Sequence, residues 1–168
     1  MTWERAATLR IDATGRWLDA TDEALDLLGV SSVAALRDLP SDAFSAAPPD
    51  PVEQAAFREA YGAAFAQGLL IEGPYRRLDG ELGRARTAVL PDPDGAYSLL
   101  FYPLERPTTN LTTRILTIAE VLNEWRGAER RLVALDPDSD EAKRVTDEID
   151  ALRETHRRLF RKASTKVG

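Results

Sequence analysis

Few residues in this chain are equipped for chemistry. Its 168 residues include no cysteine and one histidine, His156. Without thiols there is no disulfide, zinc–thiolate site, iron–sulfur cluster or cysteine nucleophile, and a single imidazole is a poor basis for a His-based metal cage or a Ser-His-Asp triad. Paired carboxylates occur at Asp92 and Asp94 and at Asp138 and Asp140, but in turn sequences, where acidic side chains serve the backbone. Arg76, Arg77, Arg84 and Arg86 fall on neighbouring predicted strands. They read either as an anion site or as a solvated strand edge balanced by Asp79 and Glu81, and the second reading is the one taken. Arg157, Arg158, Arg161, Lys162 and Lys166 read as a charged helix end. There is no phosphate-binding glycine loop, dinucleotide fingerprint or His-containing metal motif. For acid–base work only Asp19 and Tyr61 stand out.

The more productive pattern is apolar. Phe57, Tyr61 and Phe65 recur at four-residue steps and share one face of a predicted helix. With Trp17, Tyr75, Leu99 and Phe101 they are the candidates to line a small apolar ligand cavity. The competing reading is an ordinary filled core, since spacing alone does not separate a void from packing.

The elements that must hold these residues divide at about Pro107. Residues 1–107 carry 10 basic and 17 acidic side chains (net −7), and residues 108–168 carry 12 and 11 (net +1). Turn residues crowd the first stretch, so residues 1–107 read as a compact α+β domain and residues 108–168 as helical. Strands are predicted at 8–11 and 17–20 around Asp12-Ala13-Thr14-Gly15, and at 69–78, 84–90 and 96–105 around Asp79-Gly80 and Asp94-Gly95, giving five antiparallel strands. Thr21 or Asp22 caps a short helix that Gly29 ends, and Val52 to Gln67 forms a longer one after a loop at 41–51. In the last strand Tyr97, Leu99 and Phe101 face one way and Leu100 and Tyr102 the other, so both sheet faces need covering.

This order, with Asp12, Gly15 and the run Leu18-Asp19-Ala20-Thr21-Asp22-Glu23-Ala24-Leu25-Asp26-Leu27-Leu28-Gly29, resembles the PAS domains over residues 8–105. The resemblance implies a sensory or protein-interaction module, with a cavity between sheet and helices and pairing through flanking helices. Departures narrow it. Thr21 stands where the family usually has asparagine. The light-sensing branch forms a flavin–cysteine adduct, which a chain without cysteine does not make. Histidine-ligated haem is not expected either, because His156 lies far beyond the domain. His156 is followed by arginines rather than the acidic residue of a kinase phosphoacceptor box, so it reads as a packing histidine.

From Thr112 the sequence reads as helical. Ile118, Val121, Trp125, Ala128, Leu132 and Leu135, and then Val145, Ile149, Leu152, His156 and Leu159, follow heptad-like steps. Asp136-Pro137-Asp138-Ser139-Asp140 separates them, so an antiparallel hairpin with arms of roughly 20 residues is expected. Its apolar stripes, together with Leu100 and Tyr102, are the candidate interface, for a homodimer or for a downstream effector. The net charge of −6 argues against nucleic acid as a partner. No apolar run approaches the roughly 20 residues of a membrane span, and the first residues lack the form of a signal peptide, so the cytoplasm is expected. The function expected is a non-enzymatic sensing or interaction module. The alternatives are a small-molecule enzyme of a cone-shaped α+β fold, or a scaffold that presents the hairpin.

Overall fold

The Asp12 carboxylate accepts hydrogen bonds from the Thr14 and Arg16 backbone N–H groups at 2.8 and 3.0 Å, and Gly15 takes a φ of +88°. This side-chain-braced turn joins β1 (Ala7–Ile11) to β2 (Trp17–Ala20). Thr21 caps α1 (Asp22–Leu28) through the Ala24 N–H, and Gly29 ends it at a φ of +72°. The short α2 (Val33–Arg37) follows, capped by Ser32. Asp50 accepts from the Val52 and Glu53 N–H groups to start α3 (Pro51–Gln67), and left-handed Gly68 stops it. Then come β3 (Leu70–Arg76), β4 (Leu82–Pro91), β5 (Tyr97–Pro103) and β6 (Arg114–Ile115). The chain closes with α4 (Ile118–Val133) and α5 (Asp140–Thr165). The computed structural model describes residues 7–104 and 112–165.

The strands form one antiparallel sheet in the order β2-β1-β5-β4-β3-β6. Side chains alternate across it. Leu9, Ile11, Ile71, Tyr75, Val89 and Leu99 point to an inner layer with α1, α2 and Phe44. Leu70, Ala88, Leu90 and Leu100 point to an outer layer formed by Val121, Ala128, Val145, Ile149 and Leu152 of α4 and α5. The helical hairpin therefore packs on its own chain's sheet. Arg131 with Glu148 and Trp125 with His156 face each other across it, which fixes the two helices as antiparallel. Each large apolar side chain buried in this outer layer contributes on the order of 1.5–3 kcal/mol.

Three expectations need correcting. The sheet has six strands rather than five, because Arg114 and Ile115 pair with Glu72 and Ile71. Helix begins at Ile118 rather than at Thr112, where a capping box sets Thr117 against Glu120. The arms are unequal, 16 and 26 residues, and Leu135 lies in the turn between them. The expected loop at 41–51 is present up to Asp50, and its Phe44 and Ala46 are buried. β5 ends at Pro103; the expected boundary at 107, Lys166 and the first six residues lie outside the described residues, as does the side chain of Lys162.

Candidate functional site

The aromatic stripe of α3 meets the inner face of the sheet. Phe57 and Tyr61 lie with ring centroids 4.7 Å apart, and Tyr75 of β3 meets Phe101 of β5 edge-on at 6.5 Å. Tyr75 lies over Gly83, its cross-strand partner, where a Cβ would come within 2.3 Å of the phenol ring. Glycine is what lets the ring lie flat there. Between these rings is a half-open cavity of about 210 Å³, lined by Phe57, Tyr61, Tyr75 and Phe101 with Phe44, Ser41, Asp42 and Ser45. Four of the seven aromatic and apolar candidates thus share one space.

The other three fill core. The Trp17 indole N–H donates to the Pro40 carbonyl at 3.0 Å and its ring packs on Phe44. Phe65 packs edge-on against Tyr97 at 5.0 Å, and Leu99 is buried among the inner layer. Burial pushes the Tyr61 phenol up to about 12, so it stays protonated and is a poor base at neutral pH. Asp19 is exposed on β2, where its carboxylate accepts from the Ala20 N–H.

A flavin is the group that the light-sensing branch of the PAS resemblance implies. At about 210 Å³ the cavity is smaller than the roughly 300–1,000 Å³ of sites that enclose drug-sized ligands. Its lining offers no amide side chain for a flavin ring edge and no cation for a phosphate tail. The residues that line this cavity do not fit a flavin. His156 is on the hairpin, between Trp125 and Phe160, and does not line the cavity.

The outer face holds a cluster that the sequence reading missed. Glu72, 6% exposed, meets Arg84 at 3.4 Å, Arg86 at 3.2 Å and Arg114 at 3.5 Å. Arg86 also binds Glu124, and Arg114 binds Glu120, both on α4. Burial works against the Glu72 charge, but the three guanidiniums outweigh it and hold the carboxyl below its ordinary value. Arg84 and Arg86 are therefore not a solvated edge balanced by Asp79 and Glu81. Arg77 meets both Asp79, at 3.2 Å, and Glu81, at 3.9 Å, while also donating to the Asp26 and Leu27 carbonyls at the end of α1.

The interface candidates are largely used within the chain. Leu100, Val121, Ile149 and Leu152 are buried in the outer layer, Tyr102, Trp125, Leu132 and Leu159 pack against it, and Ile118 is half-buried.

No family profile matches this sequence, and no curated protein does. Solved structures do. An RsLOV variant superposes with a TM-score of 0.53 at 14% identity, over 95% of this chain and 91% of that one. A Rhodobacter sphaeroides LOV protein gives 0.50 at 14%, over 97% and 91%. The chain has the PAS fold. With this little identity the likeness is one of architecture, and its coverage takes in the C-terminal helices as well as the PAS sheet.

Proposed function

We propose that the chain is a non-enzymatic PAS-type sensing or interaction module that signals through its C-terminal helices. The observation that carries this reading is the alternation of β5. Leu99 and Phe101 belong to the layer around the inner cavity, while Leu100 and Tyr102 belong to the layer that holds the hairpin. A small apolar molecule among Phe57, Tyr61, Tyr75 and Phe101 would press on the same strand that seats α4 and α5. Such a ligand shifts the hairpin only to the extent that it binds the two arrangements unequally. Homodimerisation or effector docking through the hairpin would be the output, using surface left after packing in cis, such as Phe160, which is 60% exposed.

Native mass spectrometry of freshly purified protein tests this reading for both subunit count and retained mass. A dimer or a reproducible bound small mass is the expected result. A bare monomer that takes up no apolar compound would leave effector docking as the sole surviving form of the proposal.

A further inference from the structure

Among the spaces that the end of β5 borders, two lie on opposite sides of the sheet. Phe101 lines the inner cavity, and Tyr102 lines a second, separate cavity of about 180 Å³ between the sheet and the hairpin. Its walls are of two kinds. Leu70, Leu104 and Leu152 are apolar, while Arg86 with Glu124 and Arg131 with Glu148 form two ion pairs. Arg131 is 56% exposed, which puts its pair at the solvent side.

The charges here are balanced. Arg86 is shared between Glu72 and Glu124, and Glu148 holds Arg131 at 2.7 Å. A charged ligand would have to break one of these pairs. The Tyr102 hydroxyl is the poorly served group. Among the described residues its hydrogen-bond contact is the Asp147 carbonyl at 3.5 Å, well beyond the usual 2.5–3.0 Å for O–H···O. A part-buried hydroxyl so placed can take a better partner. A cavity of roughly 150 Å³ accepts benzene when all its walls are apolar; at about 180 Å³, walled by three leucines and two ion pairs, this one has room for one ring with a polar substituent.

We propose that this interlayer cavity is a binding site for a neutral, single-ring molecule carrying one hydrogen-bonding oxygen, which accepts from the Tyr102 hydroxyl. Its lining shares no residue with that of the inner cavity. Because its walls come from β3, β4, β5, α4 and α5, an occupant would favour the docked hairpin by binding that arrangement alone.

Titrating the full chain with phenol and with toluene, followed by two-dimensional amide NMR, tests the site. Phenol is expected to give saturable shifts at Leu70, Tyr102, Glu148 and Leu152. Tyr102→Phe, which keeps the ring and the packing, is expected to weaken phenol about three- to tenfold and to leave toluene unchanged. No saturable shift with either compound would overturn the proposal, and so would equal phenol affinity in wild type and Tyr102→Phe. Shifts confined to Phe57, Tyr61 and Tyr75 would also overturn it, while supporting the inner cavity of the proposed function.

Discussion

Glu72 is the residue on which the attachment of hairpin to sheet turns. It is surrounded by three arginines, two of which reach on to α4, so replacing it by glutamine leaves like charges facing one another in a poorly hydrated place. Removing one partner of a buried ion pair costs about 3–5 kcal/mol, and the partial exposure of Arg114 argues for the lower end. Glu72→Gln is expected to lower the urea midpoint by an amount equivalent to about 3 kcal/mol with the denaturant slope unchanged. The same carboxyl carries a pH signature. Its value is lowered in the folded state, so its contribution is fully present above the ordinary 4.5 and is lost as pH falls through the folded value. Glu120, held down to about 2 by the Thr117 N–H and by Arg114, acts in the same direction. Melting temperature is therefore expected to fall more between about pH 5 and pH 3 in wild type than in Glu72→Gln. None of this was legible in the sequence. Nearness along the chain suggests Asp79 and Glu81 as partners, which holds for Arg77, whereas the partner shared by Arg84 and Arg86 arrives through strand register and a second partner of Arg86 comes from a helix 38 residues on.

At the scale of elements, what is decided locally could be read and what is decided at a distance could not. Thr21, Gly29, Asp50 and Gly68 end their helices by bonds within a few residues, and the sequence places α1 and α3 almost to the residue. The two-residue β6 and the five-residue α2 have no periodicity to detect, and β6 exists because β3 offers it an edge. The cavity was half legible: four-residue spacing put Phe57 and Tyr61 on one face, but nothing local said that Phe65 would turn to Tyr97 instead. Two substitutions test these elements. Gly83→Ala would drive a methyl group into the Tyr75 ring, and is expected to destabilise by about 1–3 kcal/mol and to alter the near-UV circular dichroism of the displaced tyrosine. Leu152→Ala removes a buried contact between α5 and the sheet. A loss of about 2–4 kcal/mol is expected in denaturant melts, with faster amide exchange in α5 than in β1.

For the whole molecule, the PAS sheet is a partition with a small aromatic cavity on one side and a helical hairpin docked by its own chain on the other. The hairpin's apolar stripes showed that it had to be covered, and its placement in cis answers how. Leu70, Ala88, Leu90 and Leu100 make the outer face of the sheet the complementary surface. Signalling through the hairpin requires coupling between the two sides, and the absence of native cysteines makes that coupling directly measurable. Spin labels at Val52→Cys on α3 and Val133→Cys at the end of α4, both highly exposed positions, report the distance between the two layers. The pulsed dipolar distance distribution is to be recorded with and without Phe57→Trp, which crowds the inner cavity, and under dilution with unlabelled chain. We predict one distance that survives dilution, and a second population when the cavity is crowded. A distance lost on dilution would contradict docking in cis, and a distribution unmoved by Phe57→Trp would contradict the coupling.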